Sequence, residues 1–387
     1  MQVFGFSTNK RKILHYEKKM YRKILKNLDE FLGTNLKGHK KRRKEKLAGL
    51  ICGLMNRKKP SLSALGSGLP QMIKSHSREK SAKKFLENRF IDMEGYYQPF
   101  ISRTLRQIVS NPNIGKGIKL VIDGSKMGKD HMVLMVSLLF EGRGFPLLWL
   151  VRKKPKGHFK SELHVELMKN VLAFIRPIIP KDKTVTLLGD GEFDSIALQQ
   201  FCIENSWDYV FRTACDTVFY ENGSRFQPKQ IESDDEQKFI SIPDVEFTEK
   251  RMGGVHFVLW HDPKYDAPLP LISNKSEPID IIEDYDKRYS VECLFKDMKS
   301  TTFNIHKTRL KDSHAVSNLV MLAAFGIVLL IKIGVKYAES KYREYIHRIR
   351  DDRKVNSIIS YARDFISFCF EENLTFCFSF QFSKNSS

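Results

Sequence analysis

Apolar positions change their period near residue 118. Before it they recur every three or four residues, over residues 13–31 and again over 47–55, the spacing of amphipathic helices. Ser61 offers an N-cap for a short apolar helix that Gly66, Gly68 and Pro70 end, and a longer helix is predicted over residues 81–109, broken near Gly95. From Ile118 the apolar residues alternate or run continuously. Strands are predicted over residues 118–123, 131–140 and 145–151, the last two joined by a turn at 142–144. A helix over 161–178 stops before Pro180, a strand follows at 185–190, a helix at 193–205 and a strand at 207–212. Three adjacent strands followed by alternating helix and strand predict an α/β fold, a mixed sheet with flanking helices.

The alternation then lapses. Short strands at 217–220, 238–242, 245–247 and 255–260 read as a β-strand insertion, with the acidic residues 232–236 expected as a solvent loop. Residues 269–273 read as a return strand leading to a helix over 285–299. The most apolar run, residues 319–331, is expected as a buried helix, because 13 residues fall short of the roughly 20 that cross a bilayer. The first residues lack the apolar stretch of a signal peptide. A cytoplasmic protein with no membrane partner is therefore expected.

Charge sharpens the picture. The 387 residues carry a net +20, and residues 1–80 hold 21 Lys and Arg against 5 Asp and Glu, a net of +16. Such an excess calls for a polyanionic partner, nucleic acid first and an anionic membrane surface second. The cluster Lys40, Lys41, Arg42, Arg43, Lys44 and Lys46 lies between two predicted helices, making Lys41, Arg42 and Arg43 candidate DNA-phosphate contacts within a helical, basic DNA-binding region. No helix-turn-helix signature localises base readout. The six cysteines are scattered without a CxxC pair, as free thiols of a reducing compartment.

The chemistry converges on carboxylates. The strands at 118–123 and 185–190 each end on an aspartate before a glycine, Asp123 and Asp190, which places both at the edge of the sheet where ligands collect. Alone, either is a turn former or a cap. Further on, Tyr285, Arg288, Glu292 and Lys299 stand at offsets 0, 3, 7 and 14. At about 100° per residue they share an arc of about 60° on one helix face, while Val291, Leu294, Phe295 and Met298 form a separate apolar stripe. A solvated face with an Arg288–Glu292 pair is the plainer interpretation of that helix alone. Asp123, Asp190 and Glu292 together, in a basic chain, suit two hard ions, Mg²⁺ with Mn²⁺ as substitute, acting on a phosphodiester. Glu192 and Asp194 read as helix-start carboxylates and Trp260 as core; Ser125, Lys126 and Lys129 read equally as DNA contacts or as a plain loop, and Arg212, ending its strand, is a further candidate DNA contact.

These residues resemble an Asp-Asp-Glu (DDE) transposase of the insertion-sequence-4 family. Its signature, Y-x2-R-x3-E-x6-K, is complete in Tyr285, Arg288, Glu292 and Lys299, and the segments around Asp123 and Asp190 resemble its two aspartate motifs. At the second, Gly191 stands at the usual Arg position and Glu192 at the usual Gly. The resemblance covers roughly residues 40–335. It implies a ribonuclease-H-like mixed sheet interrupted by a β-strand insertion, behind an N-terminal helical DNA-binding region. It also implies Mg²⁺-dependent cleavage at terminal inverted repeats and strand transfer into target DNA by the freed 3′-OH. Asp123, Asp190 and Glu292 would be the catalytic metal ligands, Arg288 and Lys299 phosphate clamps, and Tyr285 a phosphate donor. A homodimer in the DNA complex is expected from paired-end cutting.

The corresponding organisation is a helical basic region at 1–110, the first part of a catalytic core at 111–213, the insertion at 214–270, the second part of the core at 271–335, and a helical tail at 336–387. Two other functions compete with the transposase: a catalytically inactive DNA-binding remnant or repressor, and a host nuclease on the same fold.

Overall fold

Three strands, β1 (Gly117–Met127), β2 (His131–Phe140) and β3 (Arg143–Lys153), form an antiparallel meander. Helix α6 (Ser161–Ile175) carries the chain across to β4 (Thr184–Gly189), which pairs in parallel with β1, and α7 (Ile196–Glu204) carries it on to β5 (Asp208–Arg212), parallel to β4. The insertion does not form a sheet of its own. Strands β6 (Phe219–Glu221), β7 (Ser224–Phe226), β8 (Phe239–Phe247), β9 (Met252–Trp260) and β10 (Leu269–Ser273) continue the same sheet, because β10 pairs with both β5 and β9. The order is β3-β2-β1-β4-β5-β10-β9-β8-β6-β7. This is the expected α/β arrangement, a mixed sheet with flanking helices, extended by further β strands.

The protein is described by a computed structural model at residues 4–34, 36–70, 73–111, 117–154, 156–231, 238–346, 349–350, 353–354 and 357–378. The expected acidic loop at 232–236 and the end of the tail lie outside these residues.

The expectation that β1 ends on Asp123 requires correction. The strand runs four residues further, since Met127 still pairs with His131 and the turn comes at Gly128, whose φ is +69°. On its other edge β1 pairs with β4 only as far as Val121. Asp123 thus leaves the sheet's covered region on the β4 side while β2 still braces it. Gly124 and Ser125, expected as a turn, are strand residues.

The helical layers meet on α10 (Ser313–Tyr337), which Asp312 caps by accepting from the Ala315 N–H (2.9 Å). It is longer than expected. Its 25 residues make it the one helix among those described that is long and apolar enough to cross a membrane, and 94% of its most apolar 18-residue stretch is buried inside the fold. The length argument made from residues 319–331 therefore does not hold; α10 is distinguished by its packing instead. Helix α1 (Phe4–Leu32) sets Phe31 against Phe325 (6.1 Å) and against Phe100 (5.1 Å) of α5 (Gln98–Val109). Helix α2 (Gly38–Arg57) meets α3 (Leu62–Gly66) at near contact of backbones: a Cβ on Gly53 would lie 2.2 Å from the Leu65 carbonyl oxygen. Helix α4 (Ser75–Leu86) is followed by a break at 87–92 and a turn, Met93–Tyr97, where the Gly95 N–H donates to Asp92.

Helix α8 (Pro278–Lys287) and helix α9 (Tyr289–Lys296) succeed each other about Arg288, and a wider turn, Asp297–Thr301, continues them. The single helix expected over 285–299 is thus segmented, although the predicted apolar stripe of Val291, Leu294, Phe295 and Met298 is buried as expected. Helix α11 (Arg343–Ile346) is short, and α12 (Ile358–Glu371) folds the tail back on α10, stacking Phe365 on Tyr337 at 4.4 Å.

Candidate active site

Asp123 and Asp190 face the same region because β1 and β4 are parallel neighbours and both aspartates follow the last paired residues. Asp123 accepts from its neighbour's Gly124 N–H (2.7 Å), and Asp190 accepts from the Glu192 N–H (2.9 Å). The Asp123 carboxyl is pushed up to about 7. Burial is the main cause and the Asp190 charge the next; Arg288 and the Gly124 N–H oppose them, and Glu292 adds to the rise. Two carboxylates distant from it in sequence, Asp190 and Glu292, thus both bear on Asp123 in the fold.

Glu292 itself is exposed on α9, where its Oε1 accepts from the Arg288 guanidinium at 2.5 Å. Burial opposes the Arg288 charge, but Tyr285, Glu292 and Asp123 outweigh it and raise its pKa further. Its Nε is buried and makes no hydrogen bond among the described residues, a donor without an acceptor. Tyr285 is 3% exposed, beneath the guanidinium, whose carbon lies 5.4 Å from the ring centre. Burial raises the Tyr285 hydroxyl above its ordinary range, with Arg288 and Arg212 opposing and Asp190 adding. The expected display of Tyr285 on an open face is corrected accordingly: the side chain is buried under the Arg288 guanidinium. Lys299 donates to Ser125 Oγ (3.0 Å), which brings the last signature residue against β1. Arg212 stands beside the Asp190 turn, its Nε 4.0 Å from where a Cβ on Gly191 would sit.

Two carboxylates expected as helix-start residues do something else. Helix α7 begins only at Ile196, and Asp194 accepts from Thr213 Oγ1 (2.7 Å). Glu192 accepts from the Phe159 N–H (2.5 Å) and pairs with His158 Nδ1 (2.9 Å), while His164 Nε2 stands 3.5 Å away, too long for a full-strength hydrogen bond. Burial would raise the Glu192 carboxyl; His164, His158 and the Phe159 N–H outweigh it and hold it below the ordinary range. No spacing or residue pattern in the sequence connects Glu192 to Phe159 and His158, more than thirty residues earlier. Trp260 is buried edge-on to Tyr265 (6.1 Å), as expected of core.

The basic cluster divides. Lys41 and Arg42 are exposed, and Arg43 covers the Phe90 ring at 5.2 Å. Lys44, 4% exposed, is instead an internal pin: it pairs with Asp29 and donates to the Gly33 carbonyl (2.8 Å). Among the described residues no three His, Cys, Asp or Glu side chains stand together as a ready metal cage. All six cysteines are free thiols.

Residues 115–329 match the family described as "Transposase DDE domain". Comparison with curated proteins gives no match. Among solved structures, the chain is similar to the Argonaute of Marinitoga piezophila in complex with a 5′-OH guide RNA, at 11% identity and TM-score 0.29, covering 64% of this chain and 40% of that one. It is similar to the catalytic domain of human Endonuclease V, at 10% identity and TM-score 0.26, covering 59% and 94%. It is also similar to the C-terminal lobe of a budding yeast Argonaute, at 9% identity and TM-score 0.24, covering 68% and 56%. The chain thus spans less than half the length of the Marinitoga protein. The family match, by contrast, begins just ahead of β1, closes within α10 and takes in both aspartates and the glutamate helix. Extending over more than half of the 387 residues, it makes this chain a member of the transposase DDE domain family.

Proposed function

We propose that the chain is a DDE transposase of the insertion-sequence-4 type. It cuts DNA at the terminal inverted repeats of its element and joins the freed 3′-OH to target DNA. Family membership supports nuclease activity of the transposition type. The observation that supports the finer reading is geometric: β1 and β4 run in parallel to Asp123 and Asp190, Lys299 reaches Ser125 two residues beyond Asp123, and Arg288 pairs with Glu292, whose charge with that of Asp190 raises the Asp123 carboxyl.

The donor chemistry fits a hard divalent cation. Asp123, Asp190 and Glu292 offer only carboxylate oxygens, and their like charges are what a cation would offset. Asp123 and Asp190 would hold it, with Glu292 joining once its Arg288 partner is given up. Two such ions, Mg²⁺ or Mn²⁺, would activate the attacking oxygen and neutralise the leaving one. The protein's own groups do the rest. Arg288, released from Glu292 and with its Nε already without a partner, would grip a phosphate beside the scissile bond with two parallel donors. Lys299 would exchange Ser125 for a phosphate oxygen. Tyr285, under the guanidinium, would hold Arg288 in place and offer its hydroxyl to the same phosphate. Arg212, Lys41, Arg42 and Arg43 would contact the DNA backbone further out, and two copies would pair the two ends.

The test uses a purified Asp190→Asn or Glu292→Gln variant with DNA carrying the element's terminal repeats. Both variants should bind those ends with the wild-type affinity and fail to nick them in Mg²⁺ or Mn²⁺. Cleavage by either variant at the wild-type rate would sink the assignment.

A further inference from the structure

The segment between β3 and α6 lies against both aspartate segments, and the mechanism above makes no use of it. Phe159 is buried with its ring over β1, so that a Cβ built on Gly124 would touch the ring at 3.5 Å and Glu192 Oε2 at 3.7 Å. Glu192 grips the same segment through the Phe159 N–H and His158 Nδ1, while its own N–H holds Asp190 Oδ1. One residue therefore ties residues 156–160 to the turn that presents Asp190. Lys154 closes the segment by donating to the His158 carbonyl. Its outward side chains are Lys156, His158 and Lys160, with His158 81% exposed. Neither Lys156 nor Lys160 has an ion-pair partner among the described residues, whereas Arg152, at the base, has Glu166 at 3.5 Å.

We propose that residues 156–160 are a contact for the phosphate backbone of duplex DNA, bordering the carboxylate site, and that Glu192 is the positioning residue that holds them there. An ordered loop presents its charges without first losing the conformational entropy of a free one. Two unpaired lysines beside a site lined by aspartates serve substrate better than fold: exposed, they contribute little to stability, yet each phosphate they neutralise releases counterions. The carboxylate of Glu192, mostly buried and satisfied by the loop's own donors, does not cancel them.

The inference rests on reading the chain as a DNA-cutting enzyme, so it is tested by binding without cleavage. A fluorescein-labelled mixed-sequence duplex is titrated with full-length protein in EDTA at several NaCl concentrations, and anisotropy is followed. Lys156→Gln with Lys160→Gln should leave the melting temperature unchanged and flatten the slope of log affinity against log salt by about 2, close to 0.9 per phosphate lost. Glu192→Ala should weaken binding in the native loop and have no further effect once the two lysines are gone. Glu192→Gln keeps an acceptor for the Phe159 N–H, should restore part of that binding, and covers the case of an alanine variant that does not fold.

An unchanged slope in the lysine variant would overturn the contact. An equal effect of Glu192→Ala with and without the lysines would overturn the positioning role. Wild-type protein that binds the duplex but never cuts DNA would sink the enzyme reading and leave this one standing; wild-type protein that does not bind would sink both.

Discussion

Asp123→Asn should make the metal-free protein more stable, and the gain should depend on pH in one direction only. The folded carboxyl titrates at about 7 against an ordinary 3.8. A native value above the unfolded one means that the proton is held more tightly in the fold. The native state is therefore unpenalised below about pH 4, loses stability as pH rises towards about 7, and is flat above. At 1.36 kcal/mol per unit the ceiling is about 4 kcal/mol, and relaxation of the site and entry of water reduce the expected gain to about 1–3 kcal/mol. Asparagine retains an oxygen to accept from the Gly124 N–H, so the substitution removes charge without orphaning that donor.

The assay is urea unfolding of both proteins in EDTA across that pH range. The two curves should coincide near the acid end and separate as pH rises, with the variant above. Mg²⁺ should then raise the wild type alone, since binding to the native state stabilises by mass action. A variant less stable than the wild type above pH 7, or a difference that does not change with pH, would refute the argument that burial and neighbouring carboxylates burden Asp123.

Lys44→Met should destabilise the fold by about 1–3 kcal/mol in urea unfolding, because it removes the buried partner of Asp29 and the donor to Gly33. Lys41→Gln with Arg42→Gln should leave stability within about 0.5 kcal/mol and weaken DNA binding in a salt-dependent way. Equal loss of stability in both would contradict the division of the basic cluster. Gly334→Ala on α10 should destabilise by about 1–3 kcal/mol, since its Cβ would meet Ile358 Cγ2 at 2.2 Å and the Ile358 carbonyl oxygen at 2.6 Å, and backbone yields poorly. Hydrogen exchange should show the loss as faster opening of α12 against α10.

Periodicity carried the element types well wherever one face of an element was buried against the sheet or α10. The apolar stripe of Val291, Leu294, Phe295 and Met298 was legible because burial follows helical spacing. Spacing encoded neither the segmentation at Arg288, where the backbone stays right-handed helical with no proline or glycine to mark it, nor the burial of Tyr285, which was read as displayed. Strand ends failed for a related reason. Gly124 and Ser125 look like a turn locally, but pairing with β2 carries β1 on to Met127, and pairing across strands is a long-range matter.

Side-chain partners were the least legible layer, and the basic cluster makes the reason plain. Lys40 to Lys46 look alike in sequence, yet Lys44 falls on the buried face of α2 with Leu47 and Leu50, so the helix turns it inward to Asp29 while Lys41 and Arg42 face water. Glu192 is the same lesson at the site. Reading it as the first carboxylate of a helix assumed that its partners were the next few N–H groups. The fold instead brings up a segment more than thirty residues earlier, and Phe159 and His158 take the acceptor first. A carboxylate in a half-buried position must be satisfied by whatever donor the tertiary fold delivers. Asp123 and Asp190 could be singled out in sequence because each is a carboxylate that closes an apolar run just before a glycine, a local feature, whereas the groups that hold and orient them come from elements that only the folded sheet makes neighbours.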